Sequence, residues 1–389
     1  MSTSGKSHAN AGERAVARRR QTIAATKRMV VKVGSNLLTG VADTPKQLRI
    51  KQLVAELAGI RDRGIEVVLV TSGAIAAGLK LSGATKRPTD IAQLQSLAAI
   101  GQSRLMSLYE AACQEHGFHA AQVLLSWDDV QDRQRHLNVR NCLHAILAHG
   151  ALPIINENDA VSVEEIKIGD NDRLAALVGT MIRADLTVLL TTVDGLWRRE
   201  GDRLVERLSV VERITADVRG FAGGTDGNPY SVGGMSTKLV AATTVTEAGE
   251  SLWIADGTDF GVLQRVMAGE DVGTLFVPGT GQLSSAKRWL AFFAAPAGQL
   301  EVDDGAVKAL CKAGKSLLPK GIVAVRGAFQ KGDTVAIVDR GGRQIAVGVT
   351  NYGAADLEQI KGRHTDEIAA ILQRQGYTEV VHRNNLALV

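Results

Sequence analysis

Along the first two-thirds of the chain, short apolar runs alternate with longer stretches in which apolar residues return every three or four positions. That is the pattern of strands alternating with helices. Met29 to Val33 reads as a buried strand, and Thr44-Pro45 then offers an N-cap and a first-turn proline. The helix that follows carries Leu48, Leu53, Leu57 and Ile60 and stops near Gly64. Val67 to Val70 is a second apolar strand, ending in Thr71-Ser72-Gly73-Ala74. Asp90 opens a long helix past Leu105, His119 to Leu125 reads as a strand, and a helix from about Arg135 closes at Gly150 before the strand Leu152 to Asn156. Residues 161 to 168 alternate like an edge hairpin. A helix at about Arg173 to Arg183, the strand Leu186 to Thr191, a loop-rich segment to Gly234, the helix Met235 to Ala248 and the strand Leu252 to Ala255 complete the series. The expectation is an α/β layered domain with a mainly parallel sheet.

From about Gly273 the rhythm changes. Residues 273–297 read as a connector, followed by a helix from about Asp304 to Lys312 and short strands near Ile322 to Val325, Thr334 to Val338 and Gln344 to Val349. Short strands with close glycine turns such as Gly341-Gly342 predict a small β-rich second domain. The expected layout is a basic leader without fixed structure at 1–26, a first domain at 27–272, a connector at 273–297, a second domain at 298–375 and a tail at 376–389.

Charge and composition narrow the function classes. The formal charge of +4 comes from the first 28 residues, where Lys6, Arg14, Arg18, Arg19, Arg20, Lys27 and Arg28 face only Glu13. Without them the body is mildly acidic, so the overall charge gives no reason to expect nucleic-acid binding by it. No apolar run approaches the ~20 residues that a bilayer span requires. The leader lacks the apolar core of a secretory signal. Cys113, Cys142 and Cys311 form no close pair, which points away from a disulfide framework or a cysteine-rich metal site and toward a reducing cytoplasm.

The chemistry concentrates in a few loops. Gly233-Gly234-Met235-Ser236-Thr237-Lys238 offers a backbone that can approach an anion, two hydroxyl donors, a helix start and a lysine. Lys32-Val33-Gly34-Ser35 places a second lysine at a strand end. Polar residues also close three other strands, in Thr71-Ser72-Gly73-Ala74, Asn156-Glu157-Asn158-Asp159 and Thr191-Thr192-Val193-Asp194-Gly195. In a doubly wound sheet such ends share one cleft. Gly169-Asp170-Asn171-Asp172 precedes a helix, so one of its side chains can serve as N-cap while the others face the cleft, to hold the lysines or a metal. Two lysines, Mg²⁺ and an aspartate that fixes the lysines suffice for phosphoryl transfer, which needs positioning and charge neutralisation more than covalent chemistry. Gly5-Lys6-Ser7 and Gly314-Lys315-Ser316 lack the leading glycine of a nucleotide-binding P-loop, and His116, His119, His136, His144 and His149 show no ligand spacing.

These motifs, in this order and spacing, closely resemble those of the glutamate 5-kinases, a branch of the amino acid kinase superfamily. The quoted stretches extend through Thr71 to Gly78 and Asn156 to Val161. The end of the chain, with Asp304-Gly305-Ala306, Gly314 to Pro319 and Gly332-Asp333, looks like the PUA domain that many of these kinases carry. The resemblance implies an amino acid kinase-like α/β/α sandwich followed by a PUA-like domain, and ATP-dependent phosphorylation of the side-chain carboxylate of L-glutamate, the first step toward proline. It implies catalytic roles for Lys32, Lys238 and Asp172 and glutamate binding by Ser72, Asp159 and Asn171. Lys32, Thr191, Thr192, Val232, Gly233, Gly234, Met235, Ser236, Thr237 and Lys238 would then line the ATP site. It further implies Mg²⁺, proline as feedback inhibitor, a glutamyl-phosphate reductase as partner and a homo-oligomer.

Thr192 stands where the family often has an aspartate, and Ser231-Val232 stands where Gly-Thr is usual, which removes a hydroxyl and stiffens the loop. The substrate has separate chemical support: a free α-ammonium calls for a carboxylate such as Asp159, whereas an acetylated amine does not. The competing readings are kinases of aspartate, carbamate or an acetylated amino acid, and an RNA-binding protein. The last is less favoured, because Lys308, Lys312, Lys315, Lys320, Arg326 and Lys331 are accompanied by Phe329 alone rather than by an aromatic platform.

Overall fold

The computed structural model describes residues 4–39, 46–83, 86–161, 171–201, 203–222, 234–259, 261–279, 285–374 and 376–388. The chain divides into two compact units, Met1–Val130 with His136–Gln282 and Gln131–Arg135 with Leu283–Val389.

The first unit is built on strands β1 (Arg28–Val33), β2 (Glu66–Val70), β3 (Ala120–Leu125), β4 (Leu152–Glu157), β5 (Leu186–Thr191), β6 (Trp197–Glu200), β7 (Arg203–Arg207), β8 (Val210–Val211), β9 (Ser251–Asp256) and β10 (Thr274–Phe276). Its eight-stranded sheet runs β3-β4-β2-β1-β5-β9-β10-β8. From β3 to β9 all neighbours are parallel, while β10 turns antiparallel against β9 and β8 runs parallel to β10. Central β1 is paired on both sides, Met29 opposite Val67 and Leu186, and Met29, Val30 and Val31 are fully buried. Helices cover both faces, which is why these strands read as continuous apolar runs rather than alternating ones. The carboxyl ends of β1, β2, β4 and β5 therefore lie along one edge.

The α/β expectation holds, with informative differences. In the helix Lys46–Arg61, Leu48 is 45% exposed while Ile50, Leu53, Val54 and Leu57 are buried. Five residues from Leu48 to Leu53 is off the helical repeat, and Ile50 takes the inward position instead. The leader is helix Ser4–Ala25 rather than unstructured. Its Ile23 packs against the core of the unit, and Arg19, 4% exposed, donates to the Gly269 carbonyl at 3.1 Å and to the Ser209 hydroxyl, and lies 3.3 Å from Asp271. The supposed loop before Gly234 contains the β6/β7 hairpin, β8 and the helix Ala216–Gly220. The connector contributes β10 to the main sheet and a helix, Ser285–Phe292, to the second unit. Thr44, Pro45 and residues 162–168, read above as a helix start and a hairpin, lie outside the described residues.

The second unit is a five-stranded sheet of β11 (Gly298–Val302), β12 (Ile322–Gly327), β13 (Thr334–Val338), β14 (Gln344–Val349) and β15 (Leu386–Leu388), ordered β12-β11-β13-β14-β15. All its pairings are antiparallel except β11 with β13. Leu300, Val335, Ile337, Tyr352 and Leu357 fill its core. The expected tail supplies β15, an edge strand too short to announce itself.

One contact sets the position of the loop after β2. The helix Ala74–Ser82 lies backbone to backbone on the helix Ile91–Gln114, which starts at Asp90, whose carboxylate accepts from the Gln93 amide at 2.9 Å. A Cβ on Gly78 would sit 2.0 Å from the Leu97 carbonyl oxygen, and one on Gly101 would sit 1.8 Å from that of Ala74. Gly101→Ala gains about 1 kcal/mol of helix propensity but is expected to lose about 1–3 kcal/mol to overpacking. The expected result is a lower thermal midpoint in calorimetry, because the clash drives the two helices apart. An increased midpoint would show that the helices separate freely.

Candidate active site

Lys32 is the penultimate residue of β1, paired between Val70 and Leu189, and the chain turns at Gly34 just beyond the strand. A Cβ on Gly34 would lie 3.6 Å from Lys32 Nζ, so the ammonium hangs over this turn. Behind it stands the helix Asn171–Ile182, buried continuously from Leu174 to Ile182. Its Gly179 fits against Thr187, where a Cβ would meet Oγ1 at 2.6 Å. The helix is thereby pressed onto β1 and β5, and its first turn projects at the carboxyl edge. Alongside runs the helix Met235–Glu247, entered through Gly234, whose carbonyl accepts from Thr237 Oγ1 at 2.9 Å.

These elements bring three charges together. Lys32 Nζ is 2.6 Å from Asp172 Oδ1, and Lys238 Nζ is 3.2 Å from Asp172 Oδ2. Asp172 is 1% exposed, Lys32 7% and Lys238 5%. Burial pushes the Asp172 carboxyl up, and the adjacent Lys32 and Lys238 ammonium groups more than reverse this, holding it below the usual carboxylate range. The three residues identified separately in the sequence thus form one clamp. Asp172, in the first turn of its helix, lies where the helix dipole favours an anion. Lys238 is the fourth residue of the helix Met235–Glu247, still in a first turn, where the dipole opposes a cation.

Beside the clamp is a cavity of about 210 Å³, and Ser72, Asp159 and Asn171 all line it. Ser72 Oγ donates to the Val33 carbonyl at 3.4 Å. The Asn171 amide donates to Asn156 Oδ1 at 3.1 Å and to the Thr71 carbonyl, while the Asn156 amide donates to Gln102 Oε1 at 2.9 Å. Thr71 Oγ1 lies 2.8 Å from the hydroxyl of fully buried Tyr109. One polar chain therefore ties β2, β4 and two helices around the cavity. Glu157, 7% exposed, and Arg87 complete its charged lining. No motif marked Gln102 or Arg87, since each matters through its neighbours across space.

On the opposite side of β1, Thr191 closes β5 half-buried and Thr192 is exposed. Gly234, Met235, Ser236 and Thr237 form the entry to the lysine-bearing helix. Val232, Gly233, Gly169 and Asp170 lie outside the described residues. Among the described residues, no three acidic, histidine or cysteine side chains gather as a metal cage.

Two buried lysines on one carboxylate, at the open edge of a parallel sheet and beside a small polar cavity, suit a phosphotransferase that acts on a small charged acceptor. Comparison with known proteins agrees. Residues 27–256 match the amino acid kinase family and residues 298–372 match the PUA domain. A glutamate 5-kinase of Moorella thermoacetica is 44% identical over 95% of this chain and 98% of its own length. That of Caldanaerobacter subterraneus subsp. tengcongensis is 45% identical over 93% and 98%, and that of Syntrophus aciditrophicus 43% over 95% and 96%. The chain belongs to the glutamate 5-kinase family of amino acid kinases, with a C-terminal PUA domain.

Removing one ammonium from the clamp is expected to act on turnover. Lys32→Ala or Lys238→Ala should lower kcat by on the order of 10² or more with little change in substrate KM, and near-normal turnover in either would refute the assignment. Asp172→Asn should also lower the thermal midpoint, because it leaves two buried cations without their shared anion. The folded carboxyl titrates below its unfolded value, so its stabilising effect is complete above about pH 4 and fades as pH falls through the folded value. The gap in midpoint between wild type and Asp172→Asn should hold from pH 7 to about 5 and narrow below about 4. A gap independent of pH down to the acid limit would contradict the clamp.

Proposed function

We propose that this chain transfers the γ-phosphoryl group of ATP to the side-chain carboxylate of L-glutamate, giving L-glutamyl 5-phosphate at the start of proline biosynthesis. The observation that carries the reading is the clamp of Lys32 and Lys238 on Asp172, adjoining a cavity that contains Ser72, Asp159 and Asn171. The acceptor carboxylate, with a free pKa of about 4.3, is ionised at neutral pH and attacks without a general base. The work left to the protein is to hold acceptor and donor in line and to stabilise the charge on the transferring group.

Lys32 and Lys238 supply that stabilisation, and Asp172 fixes the direction of both ammonium groups. Asp159 receives the α-ammonium, while Ser72 and Asn171 hydrogen-bond the substrate. Asn171 is well placed for this, since its amide is already oriented by Asn156 and Thr71. Thr191, Thr192 and the segment Val232 to Lys238 hold ATP, whose phosphates meet the backbone and dipole at the start of the helix Met235–Glu247. Mg²⁺ belongs on the phosphates of ATP, where it neutralises charge, because Asp172 is already engaged by two cations.

Several partners extend the reading. An acyl phosphate hydrolyses readily, so a reductase that consumes it is the natural neighbour in the reaction sequence, and proline is the natural inhibitor. A homo-oligomer and a cytoplasmic setting complete the proposal; exposed free Cys142 and Cys311 fit a reducing compartment. No helix among the described residues is long and apolar enough to cross a membrane. Phe329 is 3% exposed in the core of the PUA domain and so offers no face for base stacking.

Trapping the product with hydroxylamine tests the reaction directly. ATP-dependent hydroxamate should form from L-glutamate and not from aspartate or N-acetylglutamate at matched concentration. Asp159→Ala should raise glutamate KM more than it lowers kcat. Equal use of N-acetylglutamate would remove the role given to Asp159, and no product from glutamate in the folded protein with Mg²⁺ would overturn the reaction itself.

A further inference from the structure

The family motifs give Arg87 no role, yet it lines the same cavity as Ser72, Asp159 and Asn171. It is the only cationic side chain in that lining among the described residues. Its guanidinium is exposed and makes no hydrogen bond or ion pair among the described residues, unlike Arg28, which is paired with Glu66, or Arg207, which is paired with Asp271. Pro88 follows it directly, which disfavours helical backbone at Arg87. The connection therefore runs non-helically past the cavity until Asp90 caps the next helix.

The reaction proposed above leaves one charge on the substrate unanswered. L-Glutamate carries an acceptor carboxylate, an α-ammonium and an α-carboxylate. The lysine clamp serves the first and Asp159 the second. An α-carboxylate drawn into a cavity that already contains Asp159 and Glu157 meets two like charges unless a cation attends it. A guanidinium is suited to this, because its planar fork can grip a carboxylate with two parallel hydrogen bonds.

We propose that Arg87 determines substrate specificity by binding the α-carboxylate of the amino acid, an inference that rests on the glutamate-kinase reading. It explains an arginine kept at a cavity lip with no partner of its own, and it assigns each of the three substrate charges to an opposite charge on the protein. The phosphoryl transfer itself is untouched by Arg87, so its effect falls on substrate binding.

The test compares L-glutamate with L-isoglutamine, in which the α-carboxylate is a neutral amide, on the full chain. Hydroxamate formation follows each as substrate, and competition follows isoglutamine as inhibitor. Arg87→Ala is expected to raise glutamate KM by on the order of 10-fold to 100-fold, with kcat changed by less than about threefold. The same variant should change the KM or inhibition constant of isoglutamine by less than about threefold, because the amide carries no charge for the guanidinium to answer. Arg87→Lys should fall between wild type and alanine, keeping the charge and losing the fork. An unchanged glutamate KM, or an equal loss for both compounds, overturns the inference while wild-type turnover preserves the reaction. Failure of the wild type to phosphorylate glutamate overturns the reaction and the inference with it.

Discussion

The buried carboxylate of Asp172 between Lys32 and Lys238 is the interaction on which the other features depend. Three charges withdrawn from water are costly unless they satisfy one another, and here their sum is positive by one. A site in this condition favours the arrival of an anion. The helix dipoles point the same way: the first turn that carries Asp172 is content with a negative charge, whereas the first turn that carries Lys238 is not. A polyphosphate arriving at the second helix relieves the mismatch. Bringing the three residues together requires the whole sheet, because Lys32 comes from its central strand and the two partners from helices that pack on one face.

The acceptor side depends on a constraint of a different kind. Gly78 and Gly101 let two helices touch through their backbones, so the wall of the cavity is fixed by main chain rather than by adjustable side chains. Gln102, the residue after Gly101, then opens the polar chain that runs through Asn156 to Asn171. Asn171 and Asp172 are consecutive, one engaged with the cavity and the other with the clamp. A small shift in the helix pair therefore bears on both, and this is how close packing remote from the transferred group couples to where the acceptor sits.

How much of this could be read from the chain depended on what stabilises each part. The parallel strands were legible because burial on both faces makes them apolar throughout, and the loops were legible because phosphate handling demands glycine and lysine together. The helix Ser4–Ala25 was not, because Arg19 anchors it through polar contacts that hydropathy does not register. The β6/β7 hairpin is largely exposed, and β10 and β15 span three residues each, too few for any periodicity. Within the site, Lys32, Asp172 and Lys238 were expected together with the aspartate fixing both lysines, and tertiary geometry adds that each ammonium takes its own carboxylate oxygen. Arg87 lies next to no motif, and only the fold brings it to the cavity with Asp159.

On the proposed reading, selectivity follows from the alternation of charge across the site. Clamp, Asp159 and Arg87 present positive, negative and positive stations to a substrate whose acceptor carboxylate, ammonium and α-carboxylate have the opposite signs. Aspartate carries the same three charges but is one methylene shorter. An apolar pocket distinguishes one methylene by only about 1–3 kcal/mol. On that reading the shorter chain reaches the clamp only by leaving its ammonium or α-carboxylate imperfectly paired within the cavity, which adds a charge penalty to the lost apolar contact. Length is thus read electrostatically. The same logic rejects an acetylated amine, which would leave Asp159 facing a neutral amide. On that reading, discrimination among amino acids draws on both the glycine contact that fixes one wall of the cavity and the carboxylate held between the lysines.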